Sequence, residues 1–156
     1  MPKITTFLTY DHQAEDAAKF YTSVFPNSKI TRISRYGEGT PMPKGSVMVV
    51  DFVLDGQPFI ALNGGPHFKF TDGVSLSVEC NTQNEIDKFW NALSDGGEQI
   101  QCGWLKDRFG MFWQVNPKIL TDMISDPDPK RAQRAMNAMM KMKKIVIADL
   151  AKAYNG

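Results

Sequence analysis

The fold is decided by the stretch Val47-Met-Val-Val-Asp-Phe-Val-Leu-Asp-Gly-Gln-Pro-Phe-Ile-Ala-Leu62, because a later stretch repeats its pattern. The later stretch is Gln101-Cys-Gly-Trp-Leu-Lys-Asp-Arg-Phe-Gly-Met-Phe-Trp-Gln-Val115. Each predicts a strand, a tight turn at Asp-Gly or Phe-Gly, and a second strand. Each also follows a helical pattern that is itself preceded by another strand. We therefore predict an α+β fold of two βαβββ modules, with mixed, mostly antiparallel sheets around a cleft where function should be sought.

The whole chain of 156 residues is predicted to form one domain with a sizeable core. The first module spans about residues 3–66 and the second about residues 72–117, and a helical tail covers about residues 118–156. The predicted strands are Ile4–Tyr10, Lys29–Tyr36, Ser46–Leu54, Pro58–Leu62, Val74–Val78, Gln99–Leu105 and Met111–Val115.

Local signals predict where the helices begin and end. Asp11 is expected to cap the helix that starts near Ala14, and Pro26 ends that helix. Thr82-Gln-Asn-Glu85 has the capping-box pattern, in which the hydroxyl and the carboxylate satisfy two free amides. Pro129 suits the first position of a tail helix whose methionine-rich face we expect to pack in the core or against a partner subunit. The irregular segment 37–45 is a candidate lid.

Composition excludes several classes of protein. The chain has 18 basic and 17 acidic residues and a net charge of +1, which gives no electrostatic basis for binding nucleic acid. No apolar run approaches the roughly 18 residues needed to span a membrane. The N-terminal Met-Pro-Lys-Ile-Thr-Thr enters a strand pattern directly, so we expect no signal peptide. Two cysteines do not form a disulfide framework, and we expect a cytoplasmic protein.

Several motifs resemble a known family. The chain resembles the vicinal oxygen chelate superfamily, which holds glyoxalase I, extradiol dioxygenases and antibiotic-resistance proteins. More narrowly it is similar to the PhnB-like branch, which is often labelled 3-demethylubiquinone-9 3-methyltransferase. The motifs that carry the resemblance are Phe20-Tyr21, Val24-Phe25-Pro26-Asn27-Ser28, Phe59-Ile-Ala-Leu-Asn-Gly-Gly-Pro66, Gly103-Trp-Leu-Lys-Asp107, Gly110-Met-Phe-Trp-Gln-Val115 and Ser125-Asp-Pro-Asp-Pro129.

The resemblance implies four metal-ligand positions in the cleft, which fall near Thr5, Ala61, Ser75 (or Gly73) and Gln114. Ala61 has no donor, the two hydroxyls are poor ligands, and only Gln114 offers a suitable oxygen. The two histidines, His12 and His67, lie outside the predicted strands. We therefore expect no metal and no cofactor.

The methyltransferase label has no support in the residues. A nucleotide-type methyl donor is commonly held by a glycine-rich turn after a parallel strand in a doubly wound sheet. Asn63-Gly64-Gly65 is followed by Pro66 rather than by a helix, and the hairpin pattern predicts a mostly antiparallel sheet.

The candidate ligand-binding residues are Gln114, Trp104, Phe112, Asn63 and Phe59. Alternation along a strand places Gln114 beside Phe112 and opposite Trp113 and Val115, so Gln114 either orients a ligand or bonds to core backbone. Trp104 either forms an apolar wall or belongs to the core. Asn63 opens a glycine turn whose amides either approach a ligand oxygen or simply make the turn. Phe59 opens the strand segment of the family motif that leads into this turn.

Acidic and thiol side chains give weaker candidates for catalysis. Asp51 would be a general base only if it pointed inward, and Gln114 is its suggested partner. Asp107-Arg108 is interpreted as a solvated turn pair. Cys80 and Cys102 are interpreted as buried, inert thiols, because neither has a basic neighbour in sequence.

Two functional classes follow. The first is a metal-independent protein that binds a small apolar or aromatic molecule in the cleft. The second is an enzyme of the superfamily with altered chemistry, of the isomerase, lyase or dioxygenase type, which uses Gln114 and an acid such as Asp51. A purely structural role, with the tail as its surface, stays open. In each case we expect a homodimer.

Overall fold

The computed structural model describes residues 3–156, which divide into two compact units at the Lys69–Phe70 boundary. Each unit contains one four-stranded mixed sheet, and the second unit also contains the C-terminal helices. The predicted α+β class and the two predicted βαβββ modules are therefore confirmed. The tail belongs to the same unit as the second module.

The first unit has the element order strand, helix, strand, strand, strand. Its elements are β1 (Thr6–Tyr10), α1 (Ala14–Val24), β2 (Lys29–Arg35), β3 (Val47–Leu54) and β4 (Gln57–Asn63). The strand order is β1-β4-β3-β2, in which β1 runs parallel to β4 and the other neighbours are antiparallel. Asp55 (φ 47°) and Gly56 (φ 79°) join β3 to β4, as a two-residue hairpin turn requires.

Helix α1 covers one face of the first sheet. It buries Ala14, Ala17, Ala18, Tyr21 and Val24. Asp11 does not cap this helix, contrary to the prediction, because the amide of Ala14 donates instead to Asn63 Oδ1 at 2.8 Å. The side chain of Asn63, 49 residues away in sequence, therefore accepts the hydrogen bond that a local capping residue usually accepts.

The second unit repeats the order of the first and then adds the tail. Its first five elements are β5 (Leu76–Cys80), α2 (Gln83–Ser94), β6 (Glu98–Gln99), β7 (Trp104–Lys106) and β8 (Phe112–Pro117). The strand order is β5-β8-β7-β6, with β5 parallel to β8. The tail contains α3 (Ile119–Ile124), α4 (Pro129–Met140) and α5 (Ile147–Asn155).

The predicted strand Gln99–Leu105 is wrong. The segment forms two short strands, and Gln99 pairs with Leu105 across a turn. Cys102 (φ 61°) and Gly103 (φ 79°) provide the left-handed residues of that turn. The sequence signal was weak here because a cysteine, rather than asparagine or aspartate, precedes the glycine.

The capping signals in the second unit are confirmed. Thr82 Oγ1 accepts from the amide of Glu85 at 3.2 Å, and Glu85 Oε2 accepts from the amide of Asn81 at 2.6 Å. Asp128 caps α4 by accepting from the amide of Lys130, and Pro129 occupies the first helical position.

The helices are all short, and none within residues 3–156 combines the length and apolar character needed to cross a membrane.

Candidate functional site

The second sheet has one buried face and one face that carries polar side chains. Trp113 and Val115 are 2% and 0% exposed, and they alternate along β8 with Phe112, Gln114 and Asn116. Because successive side chains of a strand point to opposite faces, these three residues share the other face, which we call the open face of the second sheet. The predicted alignment of Gln114 with Phe112 is confirmed.

Strand register brings further polar side chains to this open face. Gln114 lies between Ser77 on β5 and Trp104 on β7, and Asn116 lies beside Glu79. Two neighbouring rows of side chains therefore cross the sheet, one through Gln114 and one through Asn116. None of this pairing is visible in the sequence, because β5 and β8 are joined by more than 30 residues of intervening chain.

A cavity of about 290 Å³ lies above these rows. The sheet and its adjoining turn contribute Ser77, Glu79, Cys102, Trp104, Gln114 and Asn116. The end of β8 and the tail contribute Pro117, Lys118, Leu120, Thr121, Ile124 and Met139. The mouth is polar, because Ser77, Glu79, Lys118 and Thr121 are exposed. The volume lies near the lower end of the range for small-molecule sites, roughly 300–1,000 Å³.

The amide of Gln114 is the centre of a hydrogen-bonded row. Gln114 Nε2 donates to Ser75 Oγ at 2.9 Å, and Gln114 Oε1 accepts from Asn116 Nδ2 at 3.1 Å. A primary amide has two N–H donors and two acceptor lone pairs. One donor and one lone pair of Gln114 therefore remain for a ligand, while the two internal bonds fix the orientation of the side chain.

Asn116 is held against a glycine. Its Oδ1 atom is buried without a hydrogen-bond partner in the described part of the chain, and a Cβ added to Gly103 would approach it to 2.5 Å. Gly103 is thus required both by its φ of 79° and by the lack of space for a side chain. The turn at Gly103 and the Asn116 side chain are therefore in tight contact at the edge of the cavity.

Asp107 supports the floor of the cavity from the buried side. Its interpretation as a solvated turn residue is wrong, since it is 2% exposed. Asp107 Oδ1 accepts from the amides of Phe109 (2.8 Å) and Met111 (3.0 Å), and Oδ2 accepts from Trp113 Nε1 (2.8 Å). The carboxylate therefore fixes the turn between β7 and β8 and the ring of the residue next to Gln114.

The structure brings two of the five predicted ligand-binding residues to this cavity. Gln114 and Trp104 both line it. Phe112 shares their face of the sheet, where Lys106 Nζ lies 5.8 Å from the centroid of its ring.

Asn63 and Phe59 lie in the first unit, on the side of the sheet that α1 covers. Each polar group of the Asn63 side chain makes one hydrogen bond, since Oδ1 caps α1 and Nδ2 donates to the carbonyl of Val47 at 3.1 Å. Phe59 is 5% exposed, and its ring stacks on Phe52 with 5.4 Å between centroids. In the described structure both side chains contribute to the packing and hydrogen bonding of the first unit.

Of the two interpretations of the glycine turn after Asn63, the structure agrees with the one in which the glycines simply make the turn. The amide of Gly64 donates to the carbonyl of Tyr10 at 2.8 Å, and the amide of Gly65 donates to that of Asp11 at 3.2 Å. Both amides are therefore engaged within the unit.

Asp51 lies on the face of the first sheet opposite α1, because its neighbours Val50 and Phe52 are 0% and 1% exposed. Its carboxylate forms an ion pair with Arg32, with 2.9 Å between Oδ2 and Nε. Gln114 has Ser75 and Asn116 as its bonded partners, and both are uncharged. The carboxylate that lines the cavity with Gln114 is that of Glu79, which the sequence did not single out.

The residues at the four metal positions do not fit a metal site. Ala61 is 0% exposed and shares the α1-covered side of β4 with Phe59. Ser75 and Gln114 are bonded to each other, and neither carries a charge. Among residues 3–156, no three His, Cys, Asp or Glu side chains are grouped as metal ligands.

The two cysteines have different environments. Cys80 is 0% exposed, and burial, followed by the nearby charges of Glu85 and Glu79, raises the pKa of its thiol to about 11. Its interpretation as an inert thiol is consistent with this environment. Cys102 is half-buried at the cavity, in the turn rather than in the predicted strand.

A second cavity of about 310 Å³ lies in the first unit, beneath the predicted lid segment. The segment contributes Met42 and Pro43, and the start of α1 contributes His12, Glu15 and Asp16. Asn63 also lines it, but this side chain is only 6% exposed and makes two hydrogen bonds within the unit. The cavity of the second unit is the stronger candidate, because its central amide, Gln114, is half-buried rather than buried and its unused donor and acceptor are more accessible than those of Asn63.

Comparisons with known proteins agree on one family. The family model for 3-demethylubiquinone-9 3-methyltransferase matches residues 2–116, and no curated protein matches the chain. A PhnB protein from Bacillus cereus is 38% identical, with a TM-score of 0.68, and the alignment covers 74% of this chain and 99% of that one. The predicted resemblance to the PhnB-like branch is thus confirmed.

Two more distant structures show the same fold. Protein PA1353 from Pseudomonas aeruginosa is 22% identical with a TM-score of 0.62, covering 75% of this chain and 98% of that one. The fosfomycin resistance protein FosX from Listeria monocytogenes is 12% identical with a TM-score of 0.53, covering 78% and 97%. The family match ends at residue 116, so the Ser125-Asp-Pro-Asp-Pro129 motif and the rest of the tail lie beyond it.

Proposed function

This chain belongs to the 3-demethylubiquinone-9 3-methyltransferase family, and we propose that it is a metal-independent binding protein for a small, uncharged aromatic molecule. The site is the cavity of the second unit. The observation that carries the proposal is the Gln114 amide at the cavity, which is held in place by two bonds that leave one donor and one acceptor lone pair unused.

The chemistry of the lining supports an uncharged ligand with an apolar body. Trp104 offers a large flat surface, and Leu120, Ile124 and Met139 complete an apolar wall. Glu79 and Lys118 carry opposite charges at the mouth, so neither sign of ligand charge is favoured by the pair. A ligand with an adjacent N–H and C=O, as in a lactam fused to an aromatic ring, satisfies both free positions of Gln114.

Methyl transfer does not follow from the family description. The helices α1 and α2 follow β1 and β5 through Asp11-His12-Gln13 and Asn81-Thr82, and neither connection contains glycine. Both sheets are mixed rather than doubly wound and parallel. These connections lack the glycine-rich cradle in which a nucleotide-type methyl donor is commonly held.

An enzyme with altered chemistry is the second candidate, and one observation favours it. The carboxylate of Glu79 shares the cavity with Gln114, so a base and a polarising amide face the same ligand. In this alternative Glu79 replaces Asp51 as the acid, because Asp51 is paired with Arg32 in the first unit.

Binding of 2-quinolinone, a fused aromatic lactam, tests the proposal. We expect binding by isothermal titration calorimetry with or without a chelator, together with a shift of the Gln114 side-chain amide signal in nitrogen-15 spectra. Quinoline, which lacks the lactam, should bind more weakly by about tenfold or more, since one hydrogen bond contributes about 1.4 kcal/mol.

The variant Gln114→Glu separates binding from folding. One carboxylate oxygen of the glutamate can still accept from Asn116, and the other can accept from the Ser75 hydroxyl. The variant loses the free N–H and adds a negative charge. We expect at least about tenfold weaker binding. Gln57→Glu makes the same change at an exposed position of the first unit and should bind as the parent does. Binding that requires an added divalent metal, or that is equal in Gln114→Glu, would overturn the proposal.

We also propose a homodimer. Phe7 is 54% exposed on the face of the first sheet opposite α1, and Ile4, three residues before it, is fully exposed. A second subunit that covers such residues would remove apolar surface from water. Light scattering after size exclusion should give about twice the chain mass, and a mass of 17.5 kDa would contradict the proposal.

A further inference from the structure

The tail, residues 118–156, is attached to the second unit at both sides of the open face. At its start, the amide of Lys118 donates to the carbonyl of Cys80 at 2.8 Å. Beyond α4, the carbonyls of Met142 and Lys143 accept from the amides of Cys102 and Gly103, each at 2.8 Å. The segment between these attachments contains α3 and α4.

A second set of contacts fixes the tail beyond α4. Gln83 Nε2 donates to the carbonyl of Ile145 at 3.0 Å, and Gln83 Oε1 accepts from the amide of Ile147 at 2.8 Å. Ile145 and Leu150 are 0% exposed, and Lys144 pairs with Asp87 at 2.9 Å. The attachment therefore combines backbone bonds, buried apolar surface and an ion pair.

Helix α4 is also held in its rotation about its own axis. Arg134 donates to the carbonyls of Ala153 (3.0 Å) and Tyr154 (2.9 Å), at the end of α5. The guanidinium of Arg131 lies 4.1 Å from the centroid of the Tyr154 ring. These contacts turn half-buried Met139 toward the cavity and leave the neighbouring Met140 58% exposed.

We propose that the tail is the wall that selects ligands by size, with Met139 and Ile124 as the residues that set the limit. The inference rests on the proposed binding function and adds to it the source of selectivity. The tail lies outside the family match, which ends at residue 116.

The volume of the cavity defines the size class. An apolar cavity of about 150 Å³ is known to hold one benzene ring. The cavity here has about twice that volume, 290 Å³, so it matches a fused pair of rings better than a linear set of three. Met139 is the residue best suited to set this limit, because its unbranched, flexible side chain fills irregular space and can be shortened without disturbing the backbone.

The test compares 2-quinolinone with acridone, which carries the same N–H and C=O groups on three fused rings. The parent protein should bind 2-quinolinone and bind acridone at least about tenfold more weakly. Met139→Ala should reduce that preference by about tenfold through tighter acridone binding. Met139→Trp should fill the cavity and weaken 2-quinolinone by about tenfold or more. Met140→Ala, an equal truncation on the exposed side of the same helix, should behave as the parent does.

The outcomes separate the two proposals. If both Met139 variants keep the parent preference and Gln114→Glu still loses 2-quinolinone, the tail does not select ligands and the binding function stands. If Met139→Trp melts well below the parent temperature, Ile124→Phe replaces it in the same titrations. If the parent binds neither probe, the binding function and the role of the tail both fail.

Discussion

Replacing Asp107 with asparagine tests whether a buried carboxylate holds the floor of the cavity. In the parent, Asp107 Oδ1 accepts from two turn amides and Oδ2 accepts from Trp113 Nε1. The asparagine can keep its single oxygen toward the turn amides, in which case its NH₂ group faces the indole N–H. Two donors then meet at a distance of 2.8 Å, where an acceptor is required.

The expected loss follows from the bonds affected. A hydrogen bond to a charged group contributes about 1.5–3 kcal/mol, and the two turn bonds also weaken when the acceptor loses its charge. We expect the free energy of unfolding to fall by about 3 kcal/mol. With a urea slope of about 2 kcal/mol per molar, the urea midpoint should fall by about 1.5 M.

Tryptophan fluorescence during urea unfolding measures this loss. Trp90, Trp104 and Trp113 all lie in the second unit, which also contains Asp107, so the signal reports on the unfolding of that unit. Asp95→Asn is the matched control, since its carboxylate is 78% exposed and pairs with Arg108 at the surface. It should cost less than about 1 kcal/mol.

A double-mutant cycle with Trp113→Phe isolates the indole bond. Phenylalanine has no N–H, so Asp107→Asn should cost less in that background, with a coupling of about 1.5–3 kcal/mol. A coupling near zero, or an Asp107→Asn variant as stable as the parent, would refute the role assigned to the carboxylate.

Two further predictions concern the edge strand and the turn of the same unit. The pKa of the Cys80 thiol is raised from 9.0 to about 11 in the folded protein, so its contribution to stability is full below pH 9 and is lost as pH rises through 11. We expect the free energy of unfolding, measured with urea, to fall over this range by up to about 3 kcal/mol, and to fall less in Cys80→Val; equal falls in both would contradict the assignment. Gly103→Ala should lower the melting temperature, because its φ is 79° and its Cβ would meet Asn116 Oδ1 at 2.5 Å. Gly37→Ala has open space and no positive φ and should melt as the parent does, whereas equal melts of the two variants would contradict the packing argument.

The fold was largely predictable because its signals are local. Alternation, the Asp55-Gly56 turn and the Thr82 capping box each act within a few residues, and each appears in the structure as predicted. The strand around Cys102 was mispredicted because its turn depends on the tail, whose Met142 and Lys143 carbonyls accept the turn amides. A hydrogen bond between residues 40 apart in the chain produces no local pattern in the sequence from which it could be predicted.

The candidate site was predictable only in part, for the same reason. Alternation along one strand was enough to place Gln114 on the face opposite Trp113. The register between strands was needed to place Ser77 and Glu79 beside it, and the tail was needed to add Met139. Asp107 was misjudged because a turn position normally implies solvent, and only the fold shows that Trp113 Nε1 points at it.

Accessible hydrogen-bonding capacity distinguishes Gln114 from Asp107, Asn63 and Asn116, because Gln114 is half-buried at a cavity. Asp107 and Asn63 are bonded within their own units and are only 2% and 6% exposed, so a ligand has little access to them. Asn116 keeps a free oxygen, but that atom is packed against Gly103 and has no accessible surface. Gln114 has both a fixed orientation and a free donor and acceptor at a cavity, which is the combination that binding requires. For this reason Gln114→Glu, which keeps the shape of the side chain, separates ligand binding from stability more directly than any truncation.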